Sequence, residues 1–173
     1  MTHAVLVADP PWLMRDSLPG NGRGAVKHYP CLSLPDLLRF PLPPLADTAH
    51  LFLWRLSAMQ AEALDVVRAW GFTVKSEIVW VKRTVTGKRW FGMGRQVRAE
   101  HETCIVATRG RAKPLVRNVR STFEAIVPDG RHSAKPEAFF DLVETLCACP
   151  YAELFARRRR PGWTCIGNEL EAS

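Results

Sequence analysis

Val5-Leu6-Val7-Ala8-Asp9-Pro10-Pro11-Trp12 is an apolar run that stops at a carboxylate and two prolines. The run over 4–8 is too short for a helix, and the prolines remove backbone donors. The pattern therefore predicts a buried strand that ends at Asp9. Similar short apolar runs recur at 51–54, 76–82, 102–108, 152–155 and 163–167, with a brief one at 125–127. Between them lie stretches with helical signals at 33–40, 57–70 and 135–147. Ser33 reads as an N-cap for the first, and Gly71 as a stop for the second. Gly-rich or basic loops are expected over 13–26, 83–100 and 109–131. Strands that alternate with helices predict an α/β fold around a mainly parallel sheet. Ligands of such sheets bind beyond the carboxyl ends of the strands, here Asp9, Trp54, Lys82 and Arg157. No linker interrupts the pattern, so 1–173 reads as a single domain.

The 173 residues include 24 Lys and Arg against 17 Asp and Glu, a formal net charge of +7. That excess points to an anionic partner, with nucleic acid as the first candidate. The five cysteines form no C-x-x-C pair. They fit a reducing, cytoplasmic setting better than a disulfide framework. No apolar stretch approaches the ~20 residues of a membrane span, and the first residues do not read as a secretory signal. No cluster with metal-ligand spacing is visible.

Asp9 to Trp12 carry the sharpest chemical signal. The Asp9 carboxylate and the Pro10 carbonyl are two acceptors side by side, and the prolines hold that carbonyl in place. Two acceptors of this kind suit the amine of a nucleobase, whose lone pair must be turned out of conjugation before it can attack. Trp12 offers a face on which a base could stack. Lys135 is expected in the first turn of its helix, where an ammonium and the positive helix end together suit a carboxylate ligand.

With these residues in view, the chain resembles the MT-A70 family of adenine methyltransferases. The likeness begins in 5–12 and continues through His28-Tyr29, Leu51-Phe52-Leu53-Trp54, Trp70-Gly71-Phe72 and Glu77-Ile78-Val79-Trp80-Val81-Lys82. It runs on in His101-Glu102-Thr103-Cys104-Ile105-Val106, Arg120-Ser121 and His132-Ser133-Ala134-Lys135-Pro136-Glu137. It ends in Glu153-Leu154-Phe155-Ala156-Arg157, Gly162-Trp163 and Gly167-Asn168-Glu169-Leu170.

The resemblance implies a Rossmann-like methyltransferase of permuted order that modifies the N(6) amine of adenine in nucleic acid, DNA being favoured over RNA. S-adenosyl-L-methionine is the implied cofactor. The implied catalytic residues are Asp9, Pro10, Pro11 and Trp12. Those implied for the cofactor are Asp9, Lys135, Phe155, Arg157, Asn168 and Glu169. For the target strand they are Trp12, Tyr29, Lys82, Arg95, Arg98 and Arg158. The basic stretch 82–98 also carries Trp90 and Phe91. The loop 83–100 is where the resemblance implies pairing, as a homodimer or with a second methyltransferase subunit. After the donor-side strand this chain is shorter and Arg-rich where the family often has His and Asn. A catalytically silent nucleic-acid-binding subunit is the alternative expectation, which the intact 9–12 motif and Lys135 oppose.

Overall fold

The structure, a computed structural model, describes residues 1–13, 31–94, 96–128, 134–168 and 170. Tyr29, Arg95, Glu169 and most of the expected 13–26 loop lie outside the described residues. The opening run forms β1 (His3–Ala8), in which Val5 through Ala8 are at most 1% exposed. Consecutive rather than alternating apolar residues are what a strand covered on both faces requires.

β1 lies between β2 (Leu45–Arg55) and β6 (Tyr151–Leu154), parallel to both. The full sheet adds β3 (Thr73–Arg83), β4 (His101–Arg109), β5 (Thr122–Ile126) and β7 (Trp163–Ile166). Its order is β5-β3-β4-β2-β1-β6-β7. Every neighbouring pair is parallel except those that β4 makes with β2 and β3. The α/β architecture with a mainly parallel sheet thus agrees with the sequence reading. The direction of β4 does not follow from that reading. The reversed strand begins at the edge where its neighbours end.

Helices α1 (Leu34–Leu38) and α2 (Gln60–Ala69) pack on one face of the sheet, over Leu6, Ala8, Leu51, Leu53 and Ile105. Helix α3 (Glu137–Leu146) packs on the other, over Val5, Val7, Phe52, Trp54, Ile78 and Trp80. Ser33 caps α1 as expected, accepting from the Asp36 amide. α2 follows a 3-10 turn (Ser57–Met59) and ends at Gly71, whose φ of 79° suits glycine. There the Phe72 amide bonds Val67 and the Gly71 amide bonds Arg68, closing the helix end in a Schellman motif. No helix of the described residues is long and apolar enough to cross a membrane.

Several boundaries differ from expectation, β3 and β5 each beginning three residues early, and two of the differences have a visible cause. β2 begins six residues early because the Arg109 guanidinium holds the carbonyls of Leu45 and Ala46, at 2.6 and 2.7 Å. α3 begins at Glu137, so Lys135 is not in the helix. A residue before proline is pushed out of the α region, and Pro136 itself is extended at ψ 152°.

At the end of β6 the chain turns through Phe155, a non-glycine residue at φ 61°. The Ala156 amide then bonds Ile166 of β7 at 3.0 Å. Gly167 presses against this turn: a Cβ there would meet the Ala156 carbonyl oxygen at 2.1 Å. Gly167→Ala is expected to destabilise the chain by about 2 kcal/mol, the scale of an overpacked site that backbone must relieve. The midpoint of urea unfolding measures it.

Candidate active site

The carboxyl edge of the sheet gathers charge on its α3 face. Val5 and Val7 point toward α3, so Asp9, two residues on, shares that side. Trp54 of β2 and Lys82 of β3 have the same parity as Phe52 and Trp80, and face α3 too. Because β4 runs backwards, its second residue, Glu102, stands opposite Trp80 and joins them. The segment entering α3 brings Lys135 down onto the group.

Lys135 Nζ lies 2.6 Å from Asp9 Oδ2 and 3.2 Å from Glu102 Oε2. Lys82 Nζ donates to the other Glu102 oxygen at 2.5 Å. Two carboxylates and two ammonium groups therefore alternate along one edge. Lys135 is 8% exposed, and its ammonium is 5.1 Å from the centre of the Trp54 ring. Such a pair is favourable only where each charge is matched, since burial of an isolated charge costs several kcal/mol.

Their ionisation follows. Burial raises the Asp9 carboxyl above its ordinary range; Lys135 and Arg157 pull it down and Glu102 pushes it further up. Burial also acts to raise Glu102, but Lys135 and Lys82 outweigh it and the net shift is downward. Lys135 is raised, because the two carboxylates outweigh the burial that would neutralise it. On β6, beside Val7, Glu153 is pushed up to about 7, chiefly by burial.

Asp9, Pro10, Pro11, Trp12, Trp54, Glu102, Lys135 and Arg157 line one cleft. The Trp12 amide bonds the Pro10 carbonyl at 2.9 Å, which leaves that oxygen one lone pair for a ligand. Trp12 itself is a wall of the cleft: it is 4% exposed, and its indole N–H is fixed to the Trp54 carbonyl at 3.1 Å. The Trp54 indole N–H is buried with no partner among the described residues.

The remaining sequence candidates stand further out. Phe155 turns its ring against Phe40, with centroids 4.7 Å apart. Asn168 is exposed just past β7, two strands from Asp9. Arg158 pairs with Glu137, as Arg160 does. The Arg98 guanidinium lies over the Phe91 ring at 5.0 Å. Sequence reasoning missed Glu102 and Glu153. Glu102 stood in plain view as a carboxylate at a strand boundary, but a strand assumed parallel places it at the wrong edge.

Comparison with known proteins adds independent observations. The MT-A70 family model matches residues 3–169. Human N(6)-adenosine-methyltransferase catalytic subunit METTL3 is 29% identical over 180 residues, covering 97% of this chain and 28% of METTL3. The type II methyltransferase M.MunI of a Mycoplasma species is 28% identical over 188 residues, covering 97% of this chain and 78% of M.MunI. Mouse N(6)-adenine-specific methyltransferase METTL4 is 29% identical over 186 residues, covering 98% of this chain and 38% of METTL4. The chain thus spans under a third of METTL3 and most of M.MunI.

Opposite shifts of the Asp9 carboxyl test the charge arrangement. Its pKa is expected to rise in Lys135→Met, which loses an attracting cation, and to fall in Glu102→Gln, which loses a repelling anion. Carboxyl carbon shifts in an NMR titration read both. Glu153 makes a second prediction. A carboxyl whose pKa rises from 4.5 to about 7 on folding keeps its proton longer in the folded chain. Its contribution to stability therefore declines as pH climbs through that window. Glu153→Gln is expected to flatten this decline in urea unfolding measured from pH 4.5 to 7.

Proposed function

Since the chain belongs to the MT-A70 family, we propose that residues 1–173 form an S-adenosyl-L-methionine-dependent methyltransferase domain that acts on the N(6) amine of adenine in DNA. One observation carries this reading: Asp9-Pro10-Pro11-Trp12 leaves the carboxyl end of β1 with Asp9 bonded to the buried Lys135. DNA over RNA follows M.MunI, the type II methyltransferase that the chain matches along most of its length. Adenine as the target base follows the N(6)-adenosine-methyltransferase METTL3 and the N(6)-adenine-specific methyltransferase METTL4.

The residues present fit the cofactor. Its carboxylate calls for a cation, and Lys135 is a buried one. Its ammonium calls for carboxylates, and Asp9 and Glu153 face the same side of the sheet. The partnerless Trp54 indole N–H in the cleft wall requires an acceptor. Phe155, Arg157, Asn168 and Glu169 would hold the nucleoside end, from the β6 and β7 termini. When bound, the cofactor supplies a methyl group made electrophilic by a sulfonium.

The chain's own groups then do three things. Asp9 and the Pro10 carbonyl accept the hydrogens of the adenine amine, which turns its lone pair out of the ring plane. The negative end of the Asp9–Lys135 pair stabilises the positive charge that grows on N(6) as the N–C bond forms. Asp9, with its carboxyl raised by burial, accepts a proton that the new ammonium gives up. Trp12 and Trp54 exclude water, and Glu102 keeps Lys135 charged. Lys82, Arg98, Arg158 and the basic 82–98 stretch would meet phosphates, which gives affinity without sequence choice. Tyr29 and Arg95 keep their proposed target-side roles.

The same stretch leaves Phe91 76% and Met93 90% exposed. That surface supports pairing with a second copy or a second subunit. The five free thiols support a reducing, cytoplasmic setting.

Methyl transfer from labelled S-adenosyl-L-methionine to matched DNA and RNA oligonucleotides, with products identified as nucleosides by mass, tests the proposal. N(6)-methyladenine is expected in DNA. Asp9→Ala is expected to lower the rate by at least about a hundredfold, the scale of losing one preorganised group aimed at developing charge. Donor binding with no product on any oligonucleotide would refute autonomous activity.

A further inference from the structure

The α3 face of the sheet is not fully covered by α3. Phe139, Phe140 and Val143 cover its middle, and the helix ends at Leu146. Over β3 and β4 its place is taken by 111–121, a segment without regular structure. This segment is tied to α3 by the Leu115 amide, which donates to Leu146 at 2.8 Å. Beneath it lies a cavity of about 390 Å³, at the edge of the sheet opposite the active site. That volume falls within the ~300–1,000 Å³ of small-molecule sites. The cavity and the cleft share no lining residue. His50 at its floor is four residues from Trp54, or roughly 13 Å along the strand.

We propose that this cavity is a second binding site, for a nucleobase that carries a phosphate. The walls are apolar: Phe52, Ile78, Val106, Pro114, Val119 and Leu146. Within them stand two polar side chains that open onto the cavity. His50 is 9% exposed, and its ring nitrogens have no hydrogen-bond partner among the described residues. Thr108, its direct cross-strand neighbour, is also buried and its hydroxyl also lacks one. Both line the cavity side by side, so a ligand there can take over the hydrogen bonds that solvent otherwise supplies. Burial lowers the His50 pKa, which keeps the imidazole neutral. A neutral imidazole offers one donor and one acceptor, as the edge of a nucleobase does. The flat apolar walls match its faces.

The charge at the mouth supplies the second half of the ligand. Lys75 and Arg120 line it, both exposed, and neither has an acidic partner among the described residues. A register shift between Val74 and Ser76 makes Lys75 the extra residue of a bulge, a device that re-aims a side chain. Glu77, the one acidic residue of the lining, is engaged by Arg55 at 3.6 Å. Two exposed cations beside an apolar slot select an aromatic anion over a neutral one. The shared chemistry has two sources: a free nucleotide, or an unstacked nucleotide of a strand bound elsewhere on the chain.

Titration of the full chain with adenosine 5′-monophosphate tests the site, with inorganic phosphate as the charge control. The nucleotide is expected to bind wild type and Asp9→Ala alike and to shift the His50 imidazole resonances. The exposed-site double variant Lys75→Glu/Arg120→Glu, with an unchanged urea midpoint, is expected to bind at least about tenfold more weakly. His50→Leu, which keeps the volume, is expected to weaken binding as well. A single-stranded DNA 12-mer separates the sources. If its affinity falls with the double variant, the nucleotide comes from a strand; if only the mononucleotide is affected, it is free in solution. No binding at millimolar nucleotide overturns the proposal. So does binding that phosphate alone reproduces, that Asp9→Ala abolishes, or that the double variant leaves intact.

Discussion

Lys135 sits almost out of reach of water, with its ammonium 2.6 Å from Asp9 and 3.2 Å from Glu102. Each of these groups would be costly to bury alone, and each is tolerable only because the others are there. The requirement reaches far beyond the three side chains. β1 must end where it does, β4 must begin at the same edge, and the approach to α3 must cross the sheet above both. Lys82 completes the balance from β3, so that four separate segments are held to one geometry by their mutual neutrality. The polypeptide is therefore most constrained at the place where chemistry is proposed. An oriented carboxylate beside a rigid proline carbonyl needs that constraint to stay within a bond's reach of its target.

The reversed β4 is the structural means to this end. In a wholly parallel sheet the first residues of every strand lie at the edge away from the ligand. One antiparallel strand breaks the rule and delivers an amino-terminal residue to the carboxyl edge. Parity then decides which residue arrives usefully. Glu102 faces α3 because it shares its side with Cys104, and His101 does not. Without this reversal, Lys135 would face a single carboxylate, and Lys82 would face none.

Helix α3 links the two ends of the molecule. Its approach carries Lys135 to the cleft, its body packs Phe139 against Trp54 at 4.7 Å, and its last turn borders the cavity at the opposite edge. The same sheet face thus runs from an end where Asp9, Lys135, Glu102 and Lys82 pair with one another to an apolar end lined by His50 and Thr108, with Lys75 and Arg120 exposed beside it. The helix is only ten residues long and cannot cover the whole face.

Much was legible in the sequence. Each of the seven strands and three helices overlaps the stretch read for it, though several begin elsewhere, because burial on both faces and helix capping are local matters of residue type and spacing. The place of the motif 9–12 at a strand's end could be read for the same reason, as could that of Lys135 near the start of a helix. The sequence could not show which way β4 runs, since an apolar run reads the same in either direction and pairing is settled by strands far away in the chain. Nor could it show that Lys135 stands before its helix, held by Asp9 and Glu102 instead of by the helix dipole. Glu153, with its pKa pushed up to about 7, looked like any strand carboxylate. The sequence determined the elements and the residues able to do chemistry. Only the tertiary structure decided which of them meet, because charges interact across space, and the spacing of 9, 82, 102 and 135 in space is set by sheet order rather than by the chain.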